Sequence, residues 1–187
     1  MSTRKGEFIK LENLLDEARK KAAKINRQAA EVVGIGAVKY RSLSHERKSD
    51  IVFNWDEMLN LKGNSGPYLQ YTYARLKSVL RKAGGLPNPP AGGPDFLLLA
   101  SDSEKAVIRQ LAYFSDVLER AAVLYETNVV CDYLFKLANT LNRFYESEQI
   151  LKSQKPLREN RLNLIFAATI VLKNGLRLLG IKAPERM

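Results

Sequence analysis

The chain has 187 residues, 45% of them hydrophobic, and a formal net charge of +10 from 30 Lys and Arg against 20 Asp and Glu. That length supports one or two domains with real cores, and the basic excess points to a polyanionic partner, either a nucleic acid or an anionic membrane surface. Cys131 is the single cysteine, which excludes an intrachain disulfide and a thiolate metal cluster. The longest strongly apolar run, Leu162 to Leu172, is too short to span a bilayer. With no signal-peptide core at its start, the chain is expected in the cytoplasm.

Leu11, Leu15, Ala18, Ala22, Ile25, Ala29 and Val32 recur at helical spacing and predict one long helix, ended by Gly34-Ile35-Gly36. Ala37 to Leu43 adds one or two helical turns, and Ser44 to Asp50 reads as a polar loop. Ile51 to Leu61 predicts a short helix that turns Phe53, Trp55, Met58 and Leu59 inward. After a turn over Lys62 to Gly66 comes the most informative segment, Gly66 to Lys82. Pro67 suits a first helical turn, and Leu69, Tyr73, Leu76 and Leu80 form one apolar stripe. Tyr68, Tyr71, Arg75, Ser78 and Lys82 are spaced to fall on a different face. Aromatic rings among cations make a platform for unstacked bases and phosphates. No acidic residue lies between Glu57 and Asp95 to oppose those cations. The plainer alternative is that these tyrosines are the half-buried edge of a core, which is the commoner use of tyrosine on an amphipathic helix.

Gly84 to Pro94 holds four glycines and four prolines and predicts an exposed loop. Ser101 and Glu104 spell a capping box, and Val107, Leu111, Phe114, Leu118 and Ala121 extend the helix that it opens. Asn128 suits the cap of the next helix, which carries Val130, Leu134, Leu137, Leu141 and Phe144. After Pro156 a last helix runs from about Arg158 to Leu179 and is capped by Gly180. It is apolar on most faces and is expected at the centre of the bundle. The fold class is all-α. From Lys152 to Met187, eight basic residues face only Glu159 and Glu185. A solvated helix face and an RNA-facing tail account for that bias equally well.

No catalytic constellation is visible. His45 is the only histidine and sits in a charged loop. Asp16-Glu17 and Asp56-Glu57 are sequence neighbours that point in different directions on a helix. Neither metal-ligand spacing nor a phosphate loop occurs, so no catalytic residue and no metal site is expected in this chain. The Gly34-Ile35-Gly36 pair lacks the third glycine of a dinucleotide fingerprint, and a helix precedes it rather than a strand.

Several segments, in order and spacing, resemble the C-terminal half of arginyl-tRNA synthetase, a class I aminoacyl-tRNA synthetase. They are Val33-Gly-Ile-Gly-Ala-Val-Lys-Tyr40, Phe53-Asn-Trp-Asp56 with Gly63-Asn64, Pro67-Tyr-Leu-Gln-Tyr-Thr-Tyr-Ala-Arg75, Asn142-Arg-Phe-Tyr145, Val171 to Gly180, and Pro184-Glu-Arg-Met187. Met1-Ser-Thr-Arg-Lys-Gly6 is similar to the arginyl version of the Lys-Met-Ser-Lys-Ser loop that helps hold ATP phosphates, with Thr3 and Arg4 where Lys and Ser usually stand. The resemblance implies an ATP signature-loop remnant at Ser2, Thr3, Arg4 and Lys5. It places residues 1–60 in that remnant and a helical connection along the inner tRNA stem, and residues 61–187 in a DALR-type anticodon-binding bundle. It assigns anticodon contacts to Tyr68, Tyr71, Arg75, Tyr145 and Met187, with Lys82 and Arg186 on the RNA backbone. The implied partner is arginine tRNA, with no DNA and no membrane, and the chain is expected to be a monomer. ATP and Mg²⁺ are implied for the full enzyme and no cofactor for this chain. Alone the chain is expected to be inactive, because the nucleotide-binding fold and the His-Ile-Gly-His motif are absent from it. Two rivals stand beside this reading: a helical bundle that uses the same surface for a protein partner, and the anticodon bundle of a glycyl or cysteinyl synthetase.

Overall fold

The computed structural model describes residues 10–85, 87 and 95–187, with helices, turns and loops and no strand among them. The expected ATP-loop residues Ser2, Thr3, Arg4 and Lys5 lie outside the described residues, as does most of the Gly84 to Pro94 loop. Among the described residues no helix is long and apolar enough to cross a membrane.

The first expected helix is two. Helix α1 spans Leu11–Ala23 and α2 spans Ala30–Leu43. Asn26 breaks the run, its Oδ1 accepting from the backbone N–H of Gln28 and Ala29 at 3.0 Å each. Gly34 and Gly36 do not end a helix but lie inside α2. They mark where neighbours come too close for a side chain. A Cβ on Gly34 would stand 2.7 Å from the backbone of Ala18, and one on Gly36 would stand 2.7 Å from the Gln70 amide. Of the expected stripe Ala18, Ala22 and Ala29 are buried, but Leu11 and Ile25 are exposed and Val33 rather than Val32 faces the core, because the stripe is folded across a hairpin rather than laid along a rod.

The Ile51 to Leu61 segment forms one helical turn, α3 (Trp55–Met58), opened by the Asn54 side chain. Helix α4 covers Gly66–Lys82, with Ser65 as N-cap accepting from Tyr68 N–H at 3.1 Å and Pro67 in the first turn. After a 3-10 turn at Phe96–Leu98, α5 runs over Asp102–Ala112 behind the expected Ser101–Glu104 capping box. The helix then breaks, and α6 begins at Phe114 and ends at Leu124. At the break the Tyr133 hydroxyl donates to the Gln110 carbonyl at 2.8 Å, the acceptor that Phe114 N–H would use in a continuous helix. Helix α7 (Thr127–Ser147) and helix α8 (Lys155–Leu178) complete the bundle. Glu126, not Asn128, is the N-cap of α7. Gly180, at φ +66°, closes α8 with Gly180 N–H on Arg177 and Ile181 N–H on Leu176, the paired bonds of a left-handed C-terminal cap. Helix α8 is less central than its composition suggests, since Ile170 and Leu178 are exposed. The main core gathers Leu69, Tyr73, Leu76 and Leu80 of α4, Leu134, Leu137 and Leu141 of α7, and Ile165, Leu172 and Leu176 of α8. Cys131 is wholly buried in α7, and desolvation pushes its thiol up to about 12. It therefore stays protonated at neutral pH.

One buried cation ties the far ends of these helices together. Arg161 of α8 is 7% exposed. Its Nε donates to Glu104 Oε1 at 2.6 Å, Nη1 to Ser153 Oγ at 2.8 Å and Nη2 to Glu148 Oε2 at 2.5 Å. Glu104 also accepts from Ser101 N–H, and Glu148 from Ser103 Oγ. Removing one member of a buried pair leaves an uncompensated charge. Arg161→Ala should therefore lower unfolding free energy by about 3–5 kcal/mol in urea titration; a loss below about 1 kcal/mol, typical of a surface ion pair, would refute the assignment. Glu148 adds a pH signature. Burial pulls its carboxyl up, but hydrogen bonds from Ser101 and Ser103 and the Arg161 charge outweigh burial and hold it below its ordinary 4.5. Its contribution is thus fully present above the unfolded value and is lost as pH falls through the lowered folded value. Urea midpoints taken from neutral pH to below 4.5 should fall in the wild type and fall less in Glu148→Gln.

Candidate nucleic-acid interface

A groove of about 910 Å³ opens between the second half of α4, the end of α7 and the 148–152 linker, with Arg186 and Met187 on its rim. At its centre is Arg75. The guanidinium carbon lies 4.8 Å from the Tyr71 ring centre and 5.2 Å from that of Tyr145, within the range of cation–π attraction. Nη1 donates to Asn142 Oδ1 at 2.9 Å and Nη2 to the Tyr71 hydroxyl at 3.2 Å. Tyr71 is placed by the four-residue helical spacing to Arg75, and Tyr145 reaches across from the last turns of α7. Lys82, Lys152 and Arg186 add positive charge at the groove.

Of the expected contact residues, the groove brings together Tyr71, Arg75, Tyr145, Met187, Lys82 and Arg186. Tyr68 is not among them. It is 7% exposed, packs edge-on against Phe135 with ring centres 5.8 Å apart, and donates its hydroxyl proton to Asn139 Oδ1 at 2.7 Å. About 60° of helix rotation separates Tyr68 from Tyr71, enough to turn it from the groove into the α4–α7 contact. The reading of Tyr68 as an exposed member of the aromatic face is thereby corrected.

Met187 is not frayed. Glu185 is held by Lys77 Nζ at 3.3 Å and by Arg81, which donates to its carbonyl at 2.9 Å. Lys182 is held through its carbonyl by Gln70 Nε2 at 2.8 Å. Met187 then packs on the cluster of Ala22, Ala29 and Val33. Sequence reasoning missed Arg81, Gln149 and Lys152 as groove residues. Lys152 carried only a charge signal, and Gln149 sits in a linker with no periodicity. Asn142 lay within a quoted motif without a role. His45 is half-buried, with Nδ1 2.7 Å from the Arg41 carbonyl. That acceptor sets the ring proton on Nδ1.

An arginine flanked by two aromatic rings beside further cations can hold splayed bases and their phosphates. The comparisons agree with that chemistry. Residues 69–187 match the DALR anticodon binding domain model. The chain belongs to this family. Residues 1–55 match the model described as tRNA synthetases class I (R), catalytic domain. The chain is 40% identical over 197 aligned residues to the arginine–tRNA ligase of Actinobacillus succinogenes, covering 99% of this chain and 34% of that one. It is 39% identical to that of Halothermothrix orenii, covering 100% and 34%. It thus spans about a third of the length of these curated relatives. Among solved structures it is similar to Thermus thermophilus arginyl-tRNA synthetase, with TM-score 0.87, 33% identity and coverage of 96% of this chain and 32% of that one. The Plasmodium falciparum enzyme matches at TM-score 0.78 and 28% identity, covering 96% and 34%. DALR domains recognise anticodons as their general role.

Two alanine variants separate groove from core. Tyr68→Ala should lose about 3–5 kcal/mol of stability, as large buried aromatic side chains do. Tyr71→Ala should lose about 1 kcal/mol or less. Equal losses in urea titration would return Tyr71 to the core.

Proposed function

We propose that this chain is the tRNA-holding part of an arginine–tRNA ligase, and that the groove around Arg75 receives the anticodon loop of arginine tRNA. The observation that carries this reading is the guanidinium of Arg75 flanked by Tyr71 and Tyr145, with Lys82, Lys152, Arg186 and Met187 at the same groove. Tyr71 and Tyr145 would stack unpaired bases, Arg75 would bond a base edge or phosphate, and Lys82 and Arg186 would take the backbone. Residues 1–60 would comprise the signature-loop remnant and the helical connection to the inner tRNA stem, and residues 61–187 would form the anticodon bundle. The match to one family model up to residue 55 and to another from residue 69 supports a division near residue 60. In the complete ligase this docking would deliver the acceptor end for attachment of arginine, a reaction supplied with ATP and Mg²⁺ elsewhere in that enzyme. The chain would work as a cytoplasmic monomer on RNA rather than on DNA or membrane.

Filter binding with an arginine tRNA transcript tests this. Affinity should fall steeply between low and physiological salt, because each neutralised phosphate releases counterions. Tyr71→Ala should weaken binding by about 1–3 kcal/mol, the value of one base–aromatic stack, while Tyr71→Phe retains most of it. Salt-independent binding, or equal affinity for a non-cognate tRNA, would favour a protein partner or another synthetase. ATP–pyrophosphate exchange by the purified chain should stay at background; exchange above it would show that a working adenylate site lies within these residues.

A further inference from the structure

Tyr68, Thr72 and Asn142 do no work in the reading above, yet they form a closed polar chain inside an otherwise apolar helix contact. We infer that Asn142, backed by Tyr68 and Thr72, is a positioning residue that holds Arg75 in its orientation in the groove; the inference rests on the docking reading and adds to it. The protons of the chain can be assigned one by one. The Thr72 hydroxyl donates to the Tyr68 carbonyl at 2.9 Å. The Tyr68 hydroxyl donates to Asn139 Oδ1 at 2.7 Å. Both oxygens are therefore left as acceptors, and Asn142 Nδ2 donates to both, at 2.8 Å to Tyr68 and 3.1 Å to Thr72. The two amide hydrogens of Asn142 are then spent. A flipped amide would turn its oxygen toward two hydroxyls whose protons are committed and its NH₂ toward a cation. Only one orientation is consistent, and it aims Oδ1 at Arg75 Nη1, 2.9 Å away.

The chain runs from the core to the groove. Thr72 is wholly buried and Tyr68 nearly so, whereas Arg75 is half-buried at the groove. A free arginine on a helix surface would have to be ordered when a ligand binds, which weakens binding. Here Asn142 and the Tyr71 hydroxyl use two of its five N–H donors to set the guanidinium plane. The other donors form a preset fork for a phosphate or a base edge. Tyr68 thus bears on RNA binding without touching RNA.

The test is a double-mutant cycle on the intact chain, with an arginine tRNA transcript as probe and binding measured well below each variant's melting point. Asn142→Ala should weaken binding about tenfold in the wild-type background and by less than about twofold in Arg75→Ala, since residues in one network are coupled. Tyr68→Phe should weaken binding less than Asn142→Ala and should also lose its effect in the Arg75→Ala background; it carries the cycle if Asn142→Ala fails to fold. Full additivity would leave Asn142 merely structural and overturn the inference while the docking reading stands. No tRNA binding by the wild type would remove both. An RNA-free readout accompanies the cycle. In ¹⁵N-arginine-labelled protein, the Arg75 Nη signals should be resolved by restricted rotation in the wild type and merge in Asn142→Ala. Resolved signals that persist in the variant would also overturn the inference.

Discussion

The arrangement of this bundle turns on a single buried guanidinium. Arg161 meets two carboxylates and a serine hydroxyl, and each partner belongs to a different part of the chain: Glu104 to the first turn of α5, Glu148 to the end of α7, and Ser153 to the linker before α8. A charge so deep is tolerable only when its donors are met. The same contacts dictate where α7 stops and which way the 148–152 linker leaves it. That linker is a wall of the groove, and Tyr145 is one turn upstream of Glu148. The position of Tyr145 in the groove is therefore tied to an ion network whose Glu148 also lines that groove. The neighbouring polar chain through Asn142 then acts at shorter range on the Arg75 side chain itself.

A second constraint works at the other side of α4. Gly34 lies against the backbone of Ala18, and a Cβ on Gly66 would stand 2.5 Å from the Gly36 carbonyl oxygen. Three glycines thus let α1, α2 and α4 approach backbone to backbone. Gln70, wholly buried at this junction, donates both to Val32 of α2 and to Lys182 of the 181–187 segment. That segment can lie along α4 and bring Met187 to the groove because the helices beneath it are so close.

What was legible in the sequence was local. The four-residue spacing of Tyr71 and Arg75, the Ser101–Glu104 box, Pro67 in a first turn and Gly180 as a terminator each act within a helical turn, and each appears where expected. What was not legible depends on partners far along the chain. Gly34 and Gly36 could equally have been a cap or a close contact, and only Ala18 and Gln70 opposite them decide. Tyr68 looks like Tyr71 in sequence, but α7 covers one and not the other. Arg161 counts among the basic residues of the last segment, yet a glutamate 57 positions earlier removes it from the charged surface. The family resemblance supplied Tyr145 and Met187, which no periodicity in this chain would have placed beside Arg75.

Trp55 is the chain's one tryptophan, and it lies away from the groove, in α3, with Lys21 Nζ 5.5 Å from its ring centre. The groove by contrast is lined with tyrosines. The tryptophan is therefore a chromophore at a single site, away from the groove. Emission excited at the red edge of the spectrum, where tyrosine does not absorb, belongs to the α1–α3 side alone, whereas Tyr71 and Tyr145 of the groove are two of eight tyrosines. A change on the α1–α3 side of the molecule can thus be followed without a label.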